Sequence, residues 1–261
     1  MKHLLATAIL VSVASPALAQ DEIVGFRARA WYAQMTGTAE AEDKNLGPTR
    51  VDLQDDLGMG DRNWTAELQA YLHIPVAGRI YVGWWRVHDI GDDILNKQVN
   101  FAGQSFPVST QVHSELTLDV GYLNYEFAFP SIPIGDLVRL ELGASLGITA
   151  LRGDASIEGG GESASDNGVV GLPTLGAHAT VRLFDMVRAE VEVRGLEFRY
   201  STYEVHYLEF FAEATVEPLP WIFAGAGYKI AAVNVAHDSS SRQFRLDVDI
   251  GGFYVTAGVR F

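Results

Sequence analysis

No cysteine occurs among the 261 residues, which excludes disulfides, thiolate nucleophiles and Cys-ligated metals. Past the first 19 residues no apolar run approaches the roughly 18 residues of a spanning helix. Cationic residues are scarce: 19 Lys and Arg stand against 33 Asp and Glu, a net charge of −14. That balance does not suit nucleic acid, whose phosphates call for basic patches. There is no phosphate loop, HExxH zinc pair or dinucleotide fingerprint, and no cofactor is expected. What the chain does hold is 48% hydrophobic residues together with 26 glycines, a mixture that fits many strands better than helices.

The two ends carry the strongest local signals. Lys2 and His3 precede an apolar stretch from Leu4 to Ala14, and Ala17-Leu18-Ala19 supplies a small-x-small cleavage pattern. The expectation is a signal peptide over 1–19 and export of residues 20–261 as one domain with 18 basic and 33 acidic residues. The rival reading, a retained anchor, is disfavoured because the run is short of the roughly 20 residues a spanning helix needs. At the other end Phe253, Val255, Ala257, Val259 and Phe261 alternate with Tyr254, Thr256, Gly258 and Arg260. A terminal aromatic preceded by apolar residues at every second position resembles the signal that outer-membrane barrels present to their assembly machinery.

Between the ends, apolar and polar residues alternate repeatedly, as in Val138 to Ala150, Leu175 to Leu183 and Phe210 to Val216. Ten strands are expected near 24–40, 62–75, 79–90, 109–129, 136–151, 168–184, 186–201, 204–217, 221–236 and 242–261, with eight or twelve as alternatives. The links after the second, fourth, sixth and eighth strands are short. Those after the first, third and fifth (41–61, 91–109 and 152–167) are long and polar. The pattern predicts an all-β fold: a closed antiparallel transmembrane β-barrel with short periplasmic turns, longer extracellular loops and both termini in the periplasm.

Alternation alone does not separate a soluble barrel from a membrane barrel, in which apolar side chains face lipid and polar ones the lumen. Three features favour the membrane form. Ionised residues fall at mid-strand positions, and the apolar set is smooth, rich in Ala, Val and Leu. Aromatics also gather near strand ends: Trp64, Trp84, Trp85, Phe198 and Tyr200 towards the loops, Phe127, Phe129, Phe184, Trp221 and Phe261 towards the turns. The expected lumen network comprises Glu67, Asp119, Arg139, Glu141, His178, Arg182, Arg188, Glu190, Glu192, Arg194, Glu209 and Glu213. Gly143, Gly147, Gly225 and Gly227 share that face and are expected to make room for long neighbours. A ten-strand barrel is little wider than the eight-strand one that side chains just fill, so a largely plugged lumen is expected.

Motifs that would carry chemistry are weak. Gly143-Ala144-Ser145-Leu146-Gly147 matches G-x-S-x-G, but that motif works at a strand-to-helix turn and here lies within a strand pattern. His178, expected between Glu141 and Glu192, has the makings of a general base; membership of the lumen network is the simpler role. Seven acids from Glu40 to Asp61 crowd the first long loop without Ca²⁺-loop spacing, so no metal site is expected. His88, Asp89, Asp92, Asp93, His237 and Asp238 fall near the outer rim. Acids with a His at the rim of a ten-strand barrel resemble, in architecture and residue type only, the omptin proteases, and no residue role transfers. As a whole the chain resembles the small outer-membrane barrel proteins of Gram-negative bacteria. That resemblance implies an integral outer-membrane protein in contact with lipid and lipopolysaccharide, handled by the barrel-assembly machinery. The expected function is a structural or interaction role, with a narrow diffusion pore or an outer-membrane hydrolase as alternatives.

Overall fold

The computed structural model describes residues 23–43, 47–74, 78–135, 137–184, 186–200, 202–238 and 242–261; the expected signal peptide lies outside them. In chain order the strands are β1 (Val24–Asp43), β2 (Gly47–Asp52), β3 (Asn63–Ile74), β4 (Gly78–Ile94), β5 (Val99–Phe101), β6 (Gln104–Phe106) and β7 (Gln111–Ala128). They continue as β8 (Ile132–Ile134), β9 (Val138–Gly159), β10 (Glu162–Leu183), β11 (Val187–Tyr200), β12 (Tyr203–Leu219), β13 (Ile222–Asp238) and β14 (Arg242–Arg260). Ten of them close a ring: each long strand runs antiparallel to its chain neighbour, and β14 returns to β1 along Gly25–Arg260 through Asp43–Arg242. Closure removes the free edges that an open sheet exposes. Short β2 and β8 lie beside β1 and β9, and β5 and β6 form a separate hairpin.

Strand limits fall close to the sequence expectation except at the fifth loop. Residues 152–167, expected as a long polar loop, instead continue β9 and β10 to a two-residue turn at Gly160 and Gly161. Their φ values of 62° and 89° are those that a tight hairpin turn needs and that glycine adopts without strain. The resulting hairpin overtops its neighbour, because the β10–β11 ladder ends at Leu175–Gly195. The next residue outward on β10 with the same facing is Pro173, which has no N–H to donate.

Facing alternates with period two along every strand, as the pleat requires, but its chemistry changes sign partway up. On β7, Leu123 points outward while Asn124 and Glu126 point in; further up, Leu116, Leu118 and Val120 point in while Asp119 pairs with Arg86 on the outer face. On β9 the outward residues Leu142, Ala144, Leu146, Ile148 and Ala150 are apolar, and the next, Arg152 and Asp154, pair with each other. An outward apolar band from 142 to 150 matches the roughly 9–11 residues with which a tilted strand crosses a bilayer. The turn-side half is therefore apolar outside and polar within, and the loop-side half is the reverse. The β5–β6 hairpin touches β1, β2 and β10 and buries Val99 and Phe106, so it folds into the mouth.

Two expectations are corrected by this change of sign. Asp119 is not in the lumen: it lies on the outer face, where it accepts hydrogen bonds from Arg86 Nε (2.7 Å) and Trp84 Nε1 (3.2 Å). Trp85 is not in an outer aromatic belt: it is fully buried inside, edge-on to Trp31 with ring centroids 5.6 Å apart. Neighbouring residues of a strand face opposite ways, so Trp84 alone of that pair is outside. Phe198 likewise packs against the interior, and the side chain of Tyr200 lies outside the described residues. Trp64 and Trp84 towards the loops, and Phe129, Phe184, Trp221 and Phe261 towards the turns, are exposed on the outside.

Candidate functional site: an ion network across the lumen

The inward positions of the turn-side half bring long charged side chains to the axis. Glu67 of β3 accepts hydrogen bonds from Arg29 Nη1 (3.0 Å), Lys229 Nζ (3.0 Å) and the Tyr122 hydroxyl (2.7 Å). Glu213 of β12 accepts from Arg29 Nε at 3.0 Å, with Arg27 at 3.5 Å. Glu209, two inward positions above it on β12 with Phe211 between, takes Arg194 Nη2 and the Tyr207 hydroxyl and lies 3.4 Å from Lys229. The three cations Arg29, Arg194 and Lys229 thus meet the three anions Glu67, Glu209 and Glu213. Arg27 and Glu192 extend the set to four of each.

All of these side chains are at least nine-tenths buried. A lone buried ion is prohibitively costly, and pairing offsets that cost only when the remaining donors and acceptors are satisfied. The aromatic residues supply much of the rest. Lys229 sits 4.8 Å above the Trp85 ring and 5.0 Å above Trp31, and Arg194 lies 4.1 Å above Tyr122. Each is a cation–π contact of the kind that gains strength when water is excluded. The Tyr81 hydroxyl donates to Glu192 at 3.0 Å. Strands that are not neighbours in the ring, β3 with β13 and β4 with β11, are joined across the lumen.

The sequence-predicted residues divide by height. Glu67, Glu192, Arg194, Glu209 and Glu213 are in this central cluster. Glu190 is buried beside Arg188 at 2.6 Å. Arg182 and Glu141 pair at 3.9 Å and are only partly buried, while Arg139 is exposed at the turn end. His178 is buried and opposite Glu192 in the ladder, but its carboxylate partner across β9 is Glu126 (Nε2 to Oε1, 3.6 Å), not Glu141. Gly143 makes this possible, since a Cβ there would fall 2.2 Å from the His178 ring. Gly147 and Gly227 give way in the same manner to Asn124 and Tyr254. Asp119 stands apart on the outer face. Arg27, Arg29, Lys229 and Glu126 line the lumen as well, beyond the expected network. Arg27 and Arg29 alternate with Phe26, Ala28 and Ala30, a pattern that signals lumen facing. Lys229 has only the phase set by Gly225 and Gly227.

Ser145 lies mid-strand and buried on β9, where the strand-to-helix turn that a nucleophile elbow needs is absent. At the rim the acids and histidines do not converge. His88 meets Thr117 (2.8 Å) and Asp92 meets His113 (2.8 Å) on the outer face. Asp89 points inward to the Gly60 amide, and Asp93 bonds the Ile94 amide. His237 lines the interior, and the side chain of Asp238 lies outside the described residues. In the first loop Asp52 holds the amides of Gln54 and Asp55, and Asp56 is paired with Lys97. Among the described residues no group of three His, Asp or Glu side chains is arranged to hold a metal. The C-terminal residues Phe253, Val255 and Phe261 are strongly exposed on the outer wall, and Ala257 and Val259 continue the same face.

No protein-family model matches the chain, and no curated protein matches it. Among solved structures, the translocator domain of the autotransporter NalP from Neisseria meningitidis is 13% identical over 93% of this chain and 90% of that one, with a TM-score of 0.43. Neisserial surface protein A is 16% identical over 91% and 97% (TM-score 0.34). The attachment invasion locus protein Ail of Yersinia pestis is 12% identical over 92% and 100% (TM-score 0.34).

Proposed function

We propose that this chain is an integral outer-membrane β-barrel whose lumen is sealed at membrane height, and that it serves a structural or interaction role rather than conducting solutes. The observation that carries the reading is the pairing of an apolar outer band with a charge-balanced ion network behind it. Arg29, Glu67, Lys229 and Glu209 meet on the axis with at most 3% exposure. An open pore keeps such groups hydrated on a channel wall, whereas here they bond one another. Export through a signal peptide cleaved after Ala19, insertion by the barrel-assembly machinery and contact with outer-membrane lipid and lipopolysaccharide belong to the same reading. Planar-bilayer recording on the refolded protein tests it: the expected result is no steady single-channel steps. Reproducible ohmic steps from the unmodified chain would remove the sealed-lumen reading in favour of a narrow pore.

A further inference from the structure

Above the ion network the mouth of the barrel holds a partly open cavity of about 400 Å³. Its place follows from the strand order. On β13 the inward residues run Lys229, Ala231, Val233, Val235; on β7 they run Tyr122, Val120, Leu118, Leu116. The cavity begins at Val233 and Leu118, above the buried Trp31–Trp85 pair and Lys229. Its lining is chiefly apolar, with Val51, Leu57, Leu118, Ile157, Val233 and Phe244 representative.

We propose that this cavity is a binding site for an uncharged hydrophobic small molecule. The inference goes beyond the sealed-barrel reading, because it depends on the space above the seal and not on whether the seal conducts. Size is the first argument. Protein interiors are close-packed, an apolar cavity of about 150 Å³ accepts benzene, and small-molecule sites span about 300–1,000 Å³.

Glycine placement is the second argument. Gly153 and Gly168 face each other across the β9–β10 ladder and line the cavity. A Cβ on either would meet no atom within 4 Å, in contrast to Gly143, Gly147 and Gly227 lower down, where a named side chain occupies the space. The lower glycines make room for this chain's own residues. The upper pair leaves room that no described residue fills.

Charge gives the ligand class. The ionisable side chains that face the cavity are Asp166 and His237, since Glu115 turns its carboxylate to His113 on the outer face, and no Lys or Arg is among the lining. An anionic headgroup therefore finds the Asp166 carboxylate and no Lys or Arg, and Lys229 below is committed to Glu67 and Glu209. Access requires no ladder to part, since β10 has no β11 partner above Leu175 and its residues 166–170 form part of the lining.

The test uses the full mature chain in lipid nanodiscs, with the neutral fluorophore N-phenyl-1-naphthylamine as probe and empty nanodiscs as background. Saturable binding above background is expected. It should weaken at least tenfold in Gly153→Phe and in Gly168→Phe, and persist in Gly121→Phe, which adds the same bulk on the outer face. Folding of each variant is checked by its heat-modifiable gel mobility, and either cavity variant suffices if the other fails to fold. Decanol should displace the probe at least tenfold more effectively than decanoate. Absence of saturable binding, or binding unchanged in a folded cavity variant, overturns the site; equal competition by decanoate overturns the ligand class.

Discussion

Lys229→Met isolates the central claim that the ion network is dry. Lys229 Nζ lies 3.0 Å from Glu67 and 3.4 Å from Glu209, and its side chain is 1% exposed. Methionine has similar length and suits the Trp31 and Trp85 rings, so the change removes charge with little loss of volume. It leaves Glu67 and Glu209 sharing Arg29 and Arg194 alone. Removing one partner of a buried pair costs about 3–5 kcal/mol, whereas losing an exposed pair costs about 0–1 kcal/mol. Against a typical stability of about 5–15 kcal/mol the buried case is large. Equilibrium unfolding in guanidinium and detergent micelles, followed by Trp fluorescence, should show a loss of about 3 kcal/mol or more. The double variant Lys229→Met/Glu67→Gln should recover at least half of that, because it also removes the stranded carboxylate. A single-variant loss below about 1 kcal/mol, or no recovery in the double variant, would mean that water reaches these ions and the lumen is not sealed by them.

On the outer wall, Val191→Arg puts a cation in the apolar band and should cost about 2–4 kcal/mol in the same unfolding measurement. Val169→Arg, above the band on β10, should cost less than about 1 kcal/mol; similar losses at both would refute the placement of the band. Phe261→Ser should lower the yield of assembled barrel in cells, read as the heat-modifiable fraction, since Phe261 closes the outward row and exchanges backbone hydrogen bonds with Val24. His113, on the outer face above the band, is held above the ordinary histidine value of about 6.5 by hydrogen bonding to Asp92 and then Glu115. A group whose folded pKa is raised contributes stability below its unfolded value and loses it as pH rises through the folded one. Accordingly, NMR titration should place His113 above a free histidine and Asp92→Asn should bring it down; an unmoved His113 resonance in that variant would discount the pair.

Strand positions were legible because period-two alternation survives in every long strand. Runs such as Glu190, Glu192 and Arg194 fix facing by the cost of turning them outward. Three features were hidden, each for a physical reason. The upper half of the β9–β10 hairpin looks like loop in sequence because its inward residues include Gly153 and Ala155, too small to give an apolar signal, while many of its outward ones are polar. Asp119 is expected in the lumen if polar residues face inward along the whole of β7, but that facing reverses between Tyr122 and Leu118. Lys229 went unnoticed because a single cation in a Gly- and Ala-rich strand has no partner in sequence; Glu67 stands 162 residues away.

The reversal of facing also accounts for why ions and void are stacked in one cylinder. Ring diameter follows from strand number and tilt, so it stays nearly constant over the height of the ten strands. At the level of the apolar band the outward positions must suit hydrocarbon, and the inward ones are free to be polar. Arg29, Lys229 and Arg194 are long enough to reach the axis, and there they find Glu67 and Glu209. Above the band water wets the outside, the apolar residues turn in, and Leu, Val and Ala are too short to meet across the same diameter. The β5–β6 hairpin fills part of the difference through Val99 and Phe106. Gly153 and Gly168 widen the part that is left. Ion network and cavity are thus two consequences of one diameter, separated by side-chain length, and a substitution that lengthens the upper lining should close the cavity without disturbing the ions beneath it.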